Sequence, residues 1–361
     1  MTSLPPWQPL YSVDRSDVTE LCVTGIVAVV GKDSARNDAT TANTPSKNLL
    51  LKQGDVDYSL WTRSLLKPFQ LAAHFAILRE NYPQLKPEHF ALMSSSHNCE
   101  SMHLELLDQI MEIGRISQSK LKCPPALPND VCTREKFIAE GKQASSLYHN
   151  CSGKHFSYMM SLQAQGLPIE NYTDSDNIEH ARLEKLLTNL LARDEKSFNR
   201  TTDGCQLPNQ ALSIIEIASL YQKLARAAGS VTNVANEQLV SESKQNEIGV
   251  IGALMERFPQ ILGGTNRLDT RIMQGALTAS NTTHLMAKDG AEGLLAIGIT
   301  PTERYKEGVG IVIKLASGYD IRHMETIASE ILRKLELNKT ARSGNETQQV
   351  RTDHIKTKFS F

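Results

Sequence analysis

The chain has 361 residues, with 39 Lys and Arg against 40 Asp and Glu. That length supports a large apolar core and, past roughly 250–300 residues, more than one domain. Hydrophobic residues at 40%, charged residues at 22% and a net charge of −1 exclude a disordered chain and argue against a dedicated nucleic-acid binder.

Taken in chain order, the start carries Pro5, Pro6 and Pro9 and no apolar signal region. The longest apolar runs, such as Gly25 to Val30, fall far short of the roughly 18 residues of a membrane span. No membrane partner, no nucleic-acid partner and a cytoplasmic location are therefore expected. Cys22 to Val30 reads as a buried strand. Arg63-Ser64-Leu65-Leu66-Lys67-Pro68 opens a helix, because proline is tolerated only near a helix start. Ser64 and Lys67 are then i and i+3 on one face. Two readings stand: a helix cap beside a solvated lysine, or a hydroxyl nucleophile beside its amine base.

Ser94-Ser95-Ser96-His97-Asn98-Cys99-Glu100 reads as a loop whose serines either cap the next helix or carry chemistry. Leu104, Leu107, Ile110 and Met111 share a helical face. Asn150-Cys151-Ser152-Gly153-Lys154-His155 precedes another helix, with Phe156, Met159 and Leu162 on one side. Leu183 to Leu191 gives a further helix, and Asp203-Gly204-Cys205 a turn. Two Cys and a His permit a metal, but without a C-x-x-C spacing buried thiols are the plainer reading. The same holds for Cys22, Cys99, Cys123 and Cys132, since six cysteines are too sparse for a disulfide scaffold.

Leu212 to Leu224 has mostly helical spacing, and the polar stretch Val234 to Glu247 reads as an exposed excursion. Lys288, in Ala287 to Gly293, is either a loop lysine or one open to a cleft. Gly293 to Ile299 and Val309 to Leu315 read as strands, and Met324 to Leu337 as a helix. The expectation is an α/β fold with a sheet domain from both chain ends (12–80 plus 285–337), a mainly helical domain (81–284) and a disordered tail (338–361).

No one motif decides a function. In this order, Arg63-Ser64-x-x-Lys67, Ser96-His97, Asn150 to His155, Asp203-Gly204-Cys205 and Lys288 to Gly293 resemble the serine–lysine L-asparaginases of rhizobial type, the asparaginase II family. Gly263-Gly264-Thr265-Asn266-Arg267-Leu268-Asp269-Thr270 is similar to that family's Gly-Thr…Arg-x-Asp-Thr loop. The resemblance covers about residues 12 to 337. It implies a serine β-lactamase/glutaminase-like fold, with flanking helices and a helical domain inserted in the middle. It implies hydrolysis of L-asparagine to L-aspartate and ammonia by a homodimer. In that reading Ser64 is the nucleophile, Lys67 its base, and Ser96 with Lys288 a second serine–lysine pair. Arg63, Asp203 and His155 surround the substrate, and Cys151, Lys154 and Cys205 hold Zn²⁺. The loop Cys123 to Asp130 lacks the Gly and His that many members carry there, and no His stands near Val23. A glutaminase, a penicillin-recognising acyl hydrolase, and a zinc-binding scaffold without turnover are the alternatives.

Overall fold

A computed structural model describes residues 7–35, 48–193, 198–231, 247–278, 284–337 and 355–357. The chain forms two compact units. The first is Met1–Leu60, Leu212–Arg226 and Arg271–Phe361, and the second Trp61–Ala211 and Ala227–Thr270.

The first unit is built on a seven-stranded sheet. Its strands are β1 (Gln8–Arg15), β2 (Val18–Gly31), β3 (Leu49–Gln53), β7 (Leu285–Gly290), β8 (Leu294–Ile299), β9 (Val309–Leu315) and β10 (Ile355–Thr357), whereas β4 (Ser59–Trp61), β5 (Arg200–Thr202) and β6 (Pro208–Ser213) lie outside it. The order is β10-β1-β2-β9-β8-β7, with β3 also on β2, and every pairing is antiparallel. The apolar runs of β8 and β9 are buried almost throughout, as strands covered on both faces require.

Gly298 and Gly310 face each other across β8 and β9. A Cβ on Gly310 would sit 1.8 Å from the Ala218 carbonyl oxygen, and one on Gly298 2.7 Å from that of Tyr221. Helix α8 (Ile214–Ala228) therefore lies directly on sheet backbone. This explains why Leu212–Arg226 belongs to the sheet unit rather than to the helical stretch expected over 81–284. Likewise residues 61–80 fall in the helical unit rather than with the sheet. Helix α12 (Ile321–Lys334) starts on the Asp320 side chain, which accepts from the backbone N–H of Arg322 at 2.9 Å. Of the tail expected to be disordered, Ile355–Thr357 pairs with β1, and 338–354 and 358–361 lie outside the described residues. The excursion from Val234 also lies outside them, except that Glu247 begins a helix.

The second unit is mainly helical. Its elements are α1 (Lys67–Ala72), α2 (Phe75–Asn81), α3 (Pro87–Met93), α4 (Ser101–Gly114), α5 (Val131–Ala139), α6 (Ser152–Ala164), α7 (Ile178–Leu191), α9 (Glu247–Arg257), α10 (Pro259–Leu262) and α11 (Leu268–Met273), whose last residues pass into the first unit. Helix α6 is its axis: every residue from Ser152 to Leu162 is buried, and α1, α2, α3, α4 and α7 pack on it. Gly153 makes the closest approach, since a Cβ there would stand 2.6 Å from the Leu92 carbonyl oxygen of α3. That contact seats the first turn of α6 against the end of α3. Phe75 and Phe90 close the core edge-to-face at 4.8 Å between centroids. Among the described residues no helix is long and apolar enough to cross a membrane.

Candidate active site

In the second unit the segment before α1 is a short 3-10 turn, Arg63–Leu66. Ser64 lies in this turn and Lys67 opens the helix, so proline 68 sits at the helix start as its chemistry demands. Arg63 is held at φ 51°, a left-handed conformation that is costly for a side chain of this size. The restraint comes from β6. Asn209 Oδ1 accepts from Thr62 Oγ1 at 2.9 Å and from the Arg63 backbone N–H at 3.1 Å, and Gln210 O accepts from Thr62 N at 3.1 Å. Nothing local in the sequence around Asn209 signals that grip.

Lys67 is buried, and its amine lies 2.6 Å from Ser95 O, 2.8 Å from Ser96 Oγ and 3.5 Å from Asn150 O. Two of these partners are carbonyls, which only accept, so each takes an N–H. A hydroxyl both donates and accepts. A neutral Lys67 amine can therefore give its two N–H groups to the carbonyls and turn its lone pair to the Ser96 hydroxyl. Lys67 was expected to serve Ser64, and the hydroxyl its amine meets here is that of Ser96. Ser96 follows the end of α3 and does not cap α4. The hydroxyl that caps in this run is Ser94, which returns to Ala91 O at 3.0 Å.

Arg63 and Asp203, the two charges expected at the ends of an amino-acid substrate, pair with each other at 2.9 Å. Asp203 sits in the expected turn, closed by Gln206 N to Asp203 O at 2.9 Å. The three expected metal ligands are also brought together. Lys154 Nζ lies 3.2 Å from Cys205 Sγ, and Asp203 Oδ2 is 4.0 Å from the same sulfur. A hydrogen bond with Cys205 holds the Cys151 thiol well below its ordinary range and raises that of Cys205. Burial opposes charge on Lys154, but Cys205, Cys151 and Asp203 outweigh it and raise its pKa.

Two buried thiols and an amine suit a soft divalent ion such as zinc, provided the amine gives up its proton. Among the described residues there is no group of three or more His, Cys, Asp or Glu side chains placed to hold a metal. A metal here therefore depends on Lys154 as its third ligand. Cys99 and Cys123 are buried packing thiols, but Cys22 and Cys132 are exposed. For Cys22 the reason is that the first part of β2 projects beyond the sheet, paired with β1 only.

His155 is fully buried, and burial keeps its imidazole neutral. The Tyr172 hydroxyl accepts from Lys122 N at 2.6 Å and is hydrogen-bonded to His155 Nδ1 at 2.7 Å. Tyr172, which holds this ring, is far from any motif and was not singled out from the sequence. His97, next to Ser96, bonds Ser152 Oγ through Nε2 at 2.9 Å and ties the loop to α6.

Lys288 belongs to the first unit. It lies within β7 rather than on a loop, fully buried, with its amine 3.1 Å from Asp289 Oδ1. Tyr319 donates to the other Asp289 oxygen at 3.3 Å.

The profile of the L-asparaginase II family matches residues 12–359. No curated protein matches the chain. Among solved structures, the chain is similar to a Bacillus subtilis glutaminase in covalent complex with 5-oxo-L-norleucine, at 13% identity and a TM-score of 0.37, covering 91% of this chain and 93% of that one. It is also similar to a class A β-lactamase from Rhodopseudomonas palustris, at 13% identity and a TM-score of 0.36, covering 85% and 91%.

Proposed function

The chain belongs to the L-asparaginase II family and is an amide hydrolase, and we propose that its substrate is L-asparagine, cleaved through a serine ester. The observation that carries the chemistry is the buried Lys67 amine at 2.8 Å from Ser96 Oγ, one turn along from Ser64.

Lys67, as the neutral amine, takes the Ser64 hydroxyl proton while Oγ bonds to the side-chain amide carbon. The carbon–nitrogen bond breaks, and ammonia leaves with the proton handed back from Lys67 through the Ser96 hydroxyl. Water then adds to the ester. Its proton passes to Lys67 and on to Ser64, and aspartate is released. Lys288 is the second lysine of the reaction on the family resemblance. Arg63 receives the substrate α-carboxylate and Asp203 its α-ammonium, each exchanging its present partner for an opposite charge of the substrate. His155 is the neutral imidazole of the same site. Cys151, Lys154 and Cys205 are the residues that would hold zinc, which when bound supplies positive charge beside the site. The protein acts as a homodimer in the cytoplasm, which light scattering and cell fractionation test.

A second reading is favoured by the same contact: Ser96, whose hydroxyl Lys67 touches, carries the ester. Ammonia release from L-asparagine beside L-glutamine tests the substrate. Turnover of asparagine well above that of glutamine is expected. The reverse order, or no release from either, overturns the reading.

A further inference from the structure

Residues 95–100 have no regular secondary structure, yet they carry Ser96. Backbone polar groups in a buried, irregular segment must find partners elsewhere, and here those partners come from one place. The Ser96 N–H donates to Leu262 O at 2.9 Å, and the Ser96 carbonyl accepts from Arg267 Nη1 at 2.9 Å. Both backbone groups of this residue are thus held by the segment 262–267. The same guanidinium nitrogen is 3.4 Å from Asn98 Oδ1. Glu100 closes the other end. One of its oxygens accepts from Thr265 N at 2.6 Å and the other from Thr265 Oγ1 at 2.7 Å. Between these anchors Gly264 adopts φ 136° and lies so close that a Cβ would stand 2.4 Å from Asn98 Nδ2.

We propose that Arg267, with Glu100 as its counterpart at the other end of the loop, is a positioning residue that sets the Ser96 hydroxyl against Lys67. The inference rests on the serine–lysine reading above. The loop has two contacts to Lys67, at Ser95 O and Ser96 Oγ, and neither fixes the loop in the direction of residues 262–267. Arg267 supplies that second support, through a charged and therefore strong hydrogen bond to the carbonyl of Ser96. Displacing a catalytic group by about 1 Å costs on the order of 100-fold in rate. The Arg267 contacts described above go to Ser96 and Asn98 and not to the substrate-binding charges, so the loss falls on kcat and not on KM.

The test is Arg267→Met beside Arg267→Lys, with thermal unfolding as the control for folding. Arg267→Met is expected to lose on the order of 100-fold in kcat with KM within about threefold of wild type. Arg267→Lys, or guanidinium ion added to Arg267→Gly, should restore part of it. A folded Arg267→Met variant with kcat within threefold of wild type overturns the proposal, as does a loss that neither lysine nor guanidinium repairs. Hydrogen exchange separates this failure from that of the asparaginase reading. The Ser96 amide should exchange at least tenfold faster in Arg267→Met than in wild type, whatever the substrate is. Unchanged exchange refutes the clamp, whereas an inactive wild type with the faster exchange in the variant refutes the asparaginase reading alone.

Discussion

Lys67 Nζ and Ser96 Oγ, 29 positions apart in the chain, meet at 2.8 Å where both side chains are buried. Such a contact holds the lysine against the Ser96 hydroxyl. Two carbonyls take other sides of the amine.

Replacing Lys67 by Met removes the base while keeping the length of the side chain. Asparagine turnover should fall by about 10²–10⁴-fold, the contribution of a positioned general base. The Ser95 and Asn150 carbonyls lose their donor, so unfolding should cost about 1–3 kcal/mol less than in wild type. Steady-state ammonia release and urea unfolding read the two effects separately. Retained turnover would remove Lys67 from the chemistry.

Zinc binding should depend on thiols that the sequence places 54 positions apart, Cys151 and Cys205. Protein purified in the presence of zinc is expected to carry it, and Cys151→Ser and Cys205→Ser to lose most of it. Elemental analysis of the three proteins side by side decides this. Equal zinc in all three would rule these residues out as ligands.

His180 is buried and accepts no charge easily: burial lowers its pKa from 6.5 to about 4. Above pH 6.5 the ring is neutral in both folded and unfolded chains, and its contribution is fully present. As pH falls from 6.5 to 4 the unfolded chain binds the proton first, so stability is lost, by roughly 3 kcal/mol at most. His180→Gln should flatten the stability curve in this window. Unfolding midpoints in urea between pH 4 and 7 measure it, and equal slopes in the two proteins would contradict the assignment.

Gly310 is predicted to be intolerant of any side chain. Gly310→Ala drives a methyl group into the Ala218 carbonyl, where the ideal Cβ lies 1.8 Å from the oxygen. Helix α8 must lift from the sheet, at a cost of about 3 kcal/mol or more. A fall in the unfolding temperature of several degrees is expected. An unchanged value would mean that the α8 contact is not as close as described.

Much of the sheet was legible because its strands are short apolar runs. Val309 to Leu315 is read from sequence with the same bounds that the structure shows. Lys288 was placed just before the strand rather than within it, because glycines follow it closely in the sequence. Its charge is met by Asp289 inside the strand, a pairing that hydrophobic pattern does not report. The same limit applies to helix 214–228, whose spacing marks a helix but not the sheet glycines it lies on. The site was legible only as far as its motifs. Ser64 and Lys67 are linked in the sequence by a spacing of three residues, whereas the contact of Lys67 with Ser96 and the grip of Arg267 on Ser96 join segments 29 and 171 positions apart. Long-range hydrogen bonds of this kind leave no local trace.

The account turns on an ester formed between asparagine and Ser64. The direct measurement is acid quenching of the enzyme during turnover of L-asparagine, followed by peptide mass spectrometry. A β-aspartyl group on the peptide that carries Ser64, absent from Lys67→Met, is the predicted result. The same group on the peptide that carries Ser96, or no acylated peptide while ammonia is released, would contradict it.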